Sequence, residues 1–204
     1  MLAALLLLGV AAAETSSSAA GADRSAAELM DVVMWNREPI GGPFTLTDQD
    51  GRRRTDMDFR GRLMLVYFGF TYCPDVCPTE LGTIAAALDA MGPAGEAVVP
   101  VLITVDPERD RPEQLADYVS RFHPRMVGLT GTPEQVAEAA RRYRVYYAKA
   151  RQSGTTEYLV DHSSFVYLVG PDGRVRALFR PDTSPEAMAA AVSAQLANRS
   201  AATK

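Results

Sequence analysis

The sequence predicts an α/β protein in which a central mixed sheet is flanked by helices. Residues 63–70 and 98–105 are nearly unbroken apolar runs, as expected of strands that are buried on both faces of a sheet. Segments with helical spacing of apolar residues follow both runs. Because strands alternate with helices along the chain, the pattern indicates a layered α/β fold.

The other elements carry local signals of their own. Turn residues at 48–51 and 171–173 separate pairs of short strands and predict two hairpins. Thr132 is expected to cap a helix that begins at Pro133. The order is compatible with a thioredoxin-like sheet that carries an N-terminal hairpin and an inserted helix–strand segment. The predicted elements are strands at 44–46, 53–56, 63–70, 98–105, 127–129, 145–148, 157–160, 165–169 and 175–179, and helices at 79–91, 112–122, from 132, and from 184 to about 198.

The N-terminal part differs in composition from the rest. Residues 2–13 are nearly all Leu and Ala, like the apolar core of a signal peptide, and are too few for a bilayer span of about 20 residues. No basic segment precedes them, so residues 1–13 are interpreted as a signal peptide or a truncated membrane anchor. Residues 14–38 are expected to be a flexible linker, residues 39–198 the folded domain and residues 199–204 a disordered tail.

The charge pattern argues against nucleic-acid binding. The net charge is −4, and no concentrated basic face is evident. The one basic run, Arg52-Arg53-Arg54, follows turn residues and is interpreted as a solvated hairpin tip.

The chain has two cysteines, Cys73 and Cys77, which lie between a predicted buried strand and a predicted helix. Each precedes a proline, which disfavours helical backbone angles, so both thiols are expected in the loop, with Cys77 next to a helix start at Pro78. Backbone N–H groups there would stabilise a thiolate. Three residues separate the cysteines, a spacing that leaves metal binding, redox exchange and a structural disulfide open.

The two histidines have different surroundings. His123 follows a predicted helix and is expected to be a surface or capping residue. His162 directly precedes the strand at 165–169. In the thioredoxin fold the loop entering this strand faces the active-site cysteines and carries a cis-proline in the enzymes, yet this sequence has no proline between Pro133 and Pro171. His162 is therefore expected to be a third ligand.

Two thiolates and one imidazole form a soft ligand set, which is suited to Cu(I) and still able to hold Cu(II). A structural zinc site normally has a fourth protein ligand, and the sequence offers no third cysteine. Asp75, Asp161 or a water molecule could complete a zinc site. Zinc therefore stays open as an alternative to copper.

Three segments resemble the Sco/SenC copper chaperones, and they occur in the order found in that family. They are Thr71–Pro78, Val105–Asp110 and Val160–Ser163. The resemblance covers about residues 40–198, and the combination of all three segments is highly specific.

The resemblance implies a thioredoxin-like fold and a copper chaperone rather than an enzyme. Cys73, Cys77 and His162 match the family's copper ligands, and the two cysteines would form a disulfide when oxidised. The implied function is delivery of copper to the dinuclear copper site of cytochrome c oxidase during its assembly. The implied partners are the copper-site subunit of the oxidase and other copper chaperones or thiol reductants. The implied location is the bacterial periplasm, free or anchored to the inner membrane, or the mitochondrial intermembrane space.

Four aspartates are expected to support the ligands from outside the coordination sphere: Asp75, Asp161, Asp106 and Asp110. The segment from Asp106 to Asp110 is also interpreted as a strand-to-helix turn, in which Asp110 caps the helix that follows Pro112.

Other functions remain in competition with copper delivery. The protein could be a thiol-disulfide reductase that keeps the target's copper-ligand cysteines reduced, a redox or copper sensor, or a domain with only a structural disulfide. A peroxidase of the Thr-x-x-Cys type is disfavoured, because Thr71 lies two residues before Cys73.

Overall fold

The computed structural model describes residues 40–151 and 158–202. The signal peptide or anchor and the linker predicted for residues 1–38 lie outside the described residues. Within the described residues, no helix combines the length and the apolar character needed to cross a membrane.

The described residues form a sheet with helices packed against it, as predicted. The strands are β1 (Thr45–Asp48), β2 (Arg53–Thr55), β3 (Leu63–Gly69), β4 (Val98–Thr104), β5 (Val127–Thr130), β6 (Tyr147–Arg151), β7 (Tyr158–His162), β8 (Val166–Val169) and β9 (Val175–Phe179). The helices are α1 (Val76–Ala90), α2 (Pro112–Ser120), α3 (Pro133–Arg142) and α4 (Pro185–Ala202). Short 3-10 helices span Asp56–Phe59 and Gly92–Ala97.

Seven strands form the main sheet in the order β2-β1-β5-β4-β3-β8-β9. β3 and β4 lie at its centre, run parallel and are buried along their whole length. β4 also pairs in parallel with β5, whereas β1 and β8 join the sheet antiparallel. This mixed sheet confirms the predicted thioredoxin-like architecture and places the carboxyl ends of β3 and β4 side by side.

Local signals explain where the elements begin and end. The Thr132 side chain accepts a hydrogen bond from the Gln135 N–H group, and the Gln135 side chain bonds back, so the predicted cap is a full capping box. Ser184 similarly accepts a bond from the Ala187 N–H group at the start of α4. That helix runs to Ala202, past the predicted end near Asn198.

β6 and β7 form a separate antiparallel hairpin, in which His162 pairs with Tyr147. Neither strand pairs with a strand of the main sheet within the described residues. The hairpin is therefore attached to the domain through side chains and through its connection to β8. A backbone hydrogen bond from the Ser163 N–H group to the Tyr146 carbonyl oxygen extends the pairing within the hairpin by one step beyond His162.

Candidate metal centre

The cysteine loop leaves the carboxyl end of β3, the edge at which α/β folds usually place their chemistry. α1 begins at Val76, so Cys77 is its second residue and not a loop residue as predicted. Pro78 is compatible with this start because the first N–H groups of a helix have no partner within the helix. The constraint on a residue before proline is a preference, and the first turn of α1 overrides it.

Cys73 lies outside the helix and is half-buried, whereas Cys77 is fully buried. The Cys77 N–H group donates a hydrogen bond to the Cys73 sulfur, with 3.4 Å between N and Sγ. Cys73 thus takes the thiolate-stabilising place at the helix N-terminus that the sequence analysis gave to Cys77. The side chain of the N-cap residue, Asp75, makes no capping bond.

The two thiols are electrostatically unequal. Hydrogen bonds from the Cys77 thiol and from backbone N–H groups hold the pKa of Cys73 well below its usual range. The pKa of Cys77 is raised by that same shared hydrogen bond and by burial. In the metal-free state, Cys73 is therefore the thiolate and Cys77 the thiol.

His162 is the last residue of β7 and lies on the hairpin rather than in a loop. Its Nδ1 atom is 3.1 Å from the Ser163 carbonyl oxygen, and its Nε2 atom is 3.4 Å from Sγ of Cys77. Because a carbonyl oxygen can only accept, Nδ1 carries the proton in this bond. The lone pair of Nε2 then points towards the thiols, as a metal ligand requires.

Two aromatic rings from the end of β3 pack edge-on against the His162 imidazole. The ring centroids lie 6.0 Å from Tyr67 and 5.9 Å from Phe70. The Tyr67 side chain is buried, its hydroxyl group included. Its ring and the Cys77 sulfur both border the Cα atom of Gly69. These contacts limit the positions that the imidazole can adopt.

The structure brings together the three residues that the sequence analysis proposed as ligands. The ligating atoms of Cys73, Cys77 and His162 all lie within 4.8 Å of one another. Among residues 40–151 and 158–202, this is the one cluster of three or more His, Cys, Asp or Glu side chains that is placed to hold a metal ion. Both cysteines are free thiols in the structure.

The four supporting aspartates occupy different positions. Asp75 and Asp161 are exposed. Asp161 directly precedes His162 on β7, so the side chains of Asp161 and His162 point to opposite faces of the hairpin. Asp106 and Asp110 are buried beside the site but away from its ligating atoms. Asp110 does not cap α2, because the N-cap residue of that helix is Arg111.

Sequence reasoning missed Arg109 and Tyr158, although Arg109 lies in the segment 105–110 that was singled out. The Arg109 guanidinium carbon lies 3.8 Å from the Tyr158 ring centroid and 4.7 Å from that of Tyr72. Contacts at these distances are cation–π interactions. Arg109 therefore touches both the cysteine loop and the hairpin that carries His162.

The prediction of a surface or capping position for His123 is wrong, because its side chain is buried and the C-cap residue of α2 is Arg121. Its Nδ1 atom accepts a hydrogen bond from the Arg125 N–H group at 3.1 Å, and burial lowers its pKa. His123 thus has a structural role as a neutral imidazole, and it is absent from the cluster formed by the two cysteines and His162.

The arrangement is suited to holding a soft metal ion and releasing it. Two sulfurs and one imidazole nitrogen converge, and they match the preferences of copper better than those of Mg²⁺ or Ca²⁺. Cys77 must lose its proton to bind, so metal loading is coupled to proton release. Of the two thiols, Cys73 is the one that another protein can reach, because it is half-buried and Cys77 is fully buried.

Comparison with known proteins agrees with this geometry. The SCO1/SenC family model matches residues 33–197. The chain is 43% identical to the mitochondrial SCO1 homolog of Homo sapiens over 159 residues, which are 77% of this chain and 53% of the human protein. It is 41% identical to protein sco1 of Schizosaccharomyces pombe over 166 residues, which are 80% of this chain and 63% of that protein. The chain spans about half the length of the curated relatives it matches.

Solved structures show the same fold. A crystal structure of Arabidopsis thaliana ScoI with copper bound superposes with a TM-score of 0.74 at 43% identity, covering 78% of this chain and 99% of that chain. A structure of Bradyrhizobium japonicum ScoI with copper bound gives a TM-score of 0.71 at 42% identity, covering 76% of this chain and 99% of that chain.

Proposed function

The chain belongs to the SCO1/SenC family, and we propose that it is a copper chaperone that delivers copper to the dinuclear copper site of cytochrome c oxidase during its assembly. Its task is to bind and transfer an ion rather than to catalyse a reaction. Cys73, Cys77 and His162 hold the copper, as Cu(I) or as Cu(II). The partners are the copper-site subunit of the oxidase, a chaperone that supplies the copper, and a thiol reductant. The reductant keeps Cys73 and Cys77 reduced, so that they can bind copper.

One observation carries the proposal: two sulfurs from the cysteine loop region and an imidazole nitrogen from a residue 85 positions after Cys77 lie within 4.8 Å of one another. The neutral tautomer of His162 supports it, because Nε2 is free of a proton when Nδ1–H donates to Ser163. Similarity to ScoI structures with copper bound supports the choice of copper over zinc.

The geometry suggests an order for the transfer. An incoming thiolate of the target reaches the copper beside Cys73, because Cys77 is fully buried. Cys73 is also the better leaving ligand, since the Cys77 N–H group stabilises its free thiolate. Ligand exchange then proceeds without a change in the oxidation state of the copper.

We infer that this chemistry takes place outside the cytosol, in the periplasm or the intermembrane space. The human relative is a mitochondrial protein. The apolar run at residues 2–13 fits the apolar core of an export signal.

The test is an anaerobic copper titration of the reduced full chain. Cu(I) is titrated in competition with a chromogenic chelator, and Cu(II) is followed by the thiolate-to-copper absorption band. We expect one copper per chain. His162→Ala should bind copper about tenfold or more weakly because it lacks one ligand, and tenfold corresponds to about 1.4 kcal/mol of binding free energy. Cys73→Ser and Cys77→Ser should lose the absorption band.

His123→Gln is the matched control, because it replaces the other histidine of the chain. It should bind copper as the wild type does. If His162→Ala binds copper with wild-type affinity, the ligand assignment is wrong. If the wild type shows no thiolate-to-copper band, the proposed function fails as a whole.

The asymmetry of the thiols favours one second candidate, a thiol-disulfide reductase. The Cys73 thiolate would attack a target disulfide, and Cys77, on losing its proton to the leaving thiolate, would resolve the mixed disulfide. The products are a reduced target and a Cys73–Cys77 disulfide, which a thiol reductant must reopen. This activity predicts that His162→Ala still reduces a model disulfide at a rate near that of the wild type.

A further inference from the structure

The turn from Asp106 to Asp110 lies directly after β4 and contacts both halves of the candidate metal centre. The Arg109 and Asp110 N–H groups donate to the Asp106 carbonyl oxygen, which closes the turn. A side-chain bond from Thr104 to Asp110, at 2.7 Å, ties the turn to the end of β4. The turn is therefore fixed to the central sheet.

The first half is the cysteine loop, which is held by Asp110. Its carboxylate accepts hydrogen bonds from the Thr71 N–H group at 3.0 Å and from the Thr71 hydroxyl group at 2.6 Å. Thr71 lies two residues before Cys73. The buried carboxylate thus fixes the loop immediately before its first thiol.

The second half is the hairpin that carries His162, which is held at the start of β7. The Tyr158 hydroxyl group donates to Asp106 Oδ1 at 2.7 Å, and Arg109 Nη1 donates to the Tyr158 carbonyl oxygen at 3.1 Å. Arg109 also forms an ion pair with Asp106 and stacks on the Tyr158 ring. The exposed ion pair between Lys149 and Glu108 adds little, as surface pairs usually do.

These contacts matter because the hairpin does not pair with the main sheet within the described residues. Backbone hydrogen bonds therefore do not fix the distance from β7 to the cysteine loop. Side chains and the short connection from β7 to β8 do so, and Arg109 is in contact with both parts through Tyr158 and Tyr72.

We propose that the turn from Asp106 to Asp110 holds His162 at coordinating distance from the two thiols, with Arg109 and Tyr158 as positioning residues for the metal ligand. This inference rests on the proposed copper-binding function. Arg109 and Tyr158 are not ligands, and they act on copper only through the placement of His162. Residues that orient metal ligands in this way typically change metal affinity by about 10- to 100-fold when they are mutated.

The test is a double-mutant cycle on the reduced full chain. Copper affinity is measured for Arg109→Gln and Tyr158→Phe, each in the wild-type background and in the His162→Ala background. We expect Arg109→Gln to weaken copper binding about tenfold or more in the first background. In the second background it should have no further effect, because the ligand through which it acts is gone. Tyr158→Phe, which removes one hydroxyl group, should show the same pattern with a smaller loss.

Two further variants and a spectroscopic measurement separate positioning from folding. Arg142→Gln removes an arginine of an exposed ion pair on α3 and should leave copper affinity unchanged. Hyperfine coupling from imidazole nitrogen in the electron paramagnetic resonance spectrum of the Cu(II) form should weaken in Arg109→Gln and persist in Arg142→Gln. Arg109→Lys, which keeps the charge but not the forked donor, should restore little of the affinity.

Each outcome has a separate meaning. Equal losses from Arg109→Gln in both backgrounds would overturn the positioning role while leaving the ligand assignment intact. If Arg109→Gln binds copper with wild-type affinity, the positioning role of Arg109 is wrong. Failure of His162→Ala itself to weaken binding would instead contradict the proposed function.

Discussion

The Nε2 atom of His162 lies 3.4 Å from the sulfur of Cys77, although the two residues are 85 positions apart in the sequence. One belongs to the first turn of a helix and the other to the end of a hairpin strand. Cys77 is fully buried at this contact, whereas Cys73 is half-buried. The site is therefore asymmetric, with one accessible thiol and one covered thiol.

Cys73 should react with alkylating agents much faster than Cys77 in the reduced, metal-free protein. Its pKa is lowered and it is half-buried, whereas Cys77 is fully buried with a raised pKa. Because the Cys73 thiolate persists below the pKa of a free thiol, its rate should change little between about pH 8 and pH 6. Brief iodoacetamide labelling followed by peptide mass mapping measures both rates. Equal labelling of the two cysteines would contradict the asymmetry.

Gly69→Ala should disturb the metal centre and lower stability. An added Cβ atom at this position would lie 2.7 Å from Tyr67 Cε1 and 3.0 Å from the Cys77 sulfur. Overpacking of this kind costs about 1–3 kcal/mol. Thermal unfolding and copper titration should both show a loss.

Gly82→Ala is the matched control for that substitution. Gly82 lies on α1, and an added Cβ atom there would meet nothing within 4 Å. Alanine is a better helix former than glycine by about 0.5–1 kcal/mol, so this variant should be more stable and bind copper normally. A stability loss at Gly82, or none at Gly69, would show that the packing around α1 differs from the structure.

The stability of the protein should fall as the pH drops below about 6.5, in part because of His123. Burial lowers its pKa in the folded state from an ordinary value of 6.5. The contribution of neutral His123 to the free energy of unfolding is complete above about pH 6.5. It is lost as the pH falls towards the lower folded-state pKa, since the unfolded chain then binds the proton more readily. Urea unfolding at about pH 7.5 and pH 5.5 should show a smaller pH effect in His123→Gln. The same pH effect in both proteins would contradict this assignment.

The sequence allowed the central strands to be predicted because they are buried on both faces. β3 and β4 read as continuous apolar runs, and both are strands in the structure. The sequence predicts a later start for α1 than the structure has. A residue before proline disfavours helical backbone angles, but the first turn of a helix tolerates proline, and α1 therefore begins at Val76.

The clustering of Cys73, Cys77 and His162 could be predicted because the chain has few cysteines and histidines, and because each lies at the end of a predicted strand or the start of a helix. The side chains that surround these three residues could not be predicted. The burial of His123 and the contacts of Arg109 depend on tertiary packing, which leaves no periodic signal in the sequence. The three hydrogen bonds to Asp110 come from residues up to 39 positions away.

The most direct test of the copper site is X-ray absorption spectroscopy of the reduced full chain loaded with one equivalent of Cu(I). The site of Cys73, Cys77 and His162 predicts two sulfur ligands and one imidazole nitrogen, with the sulfurs at about 2.3 Å as in zinc–thiolate bonds. In His162→Ala the imidazole scattering should disappear while both sulfurs remain. A spectrum of the wild type with sulfur ligands alone, or with nitrogen and oxygen ligands alone, would contradict the assignment.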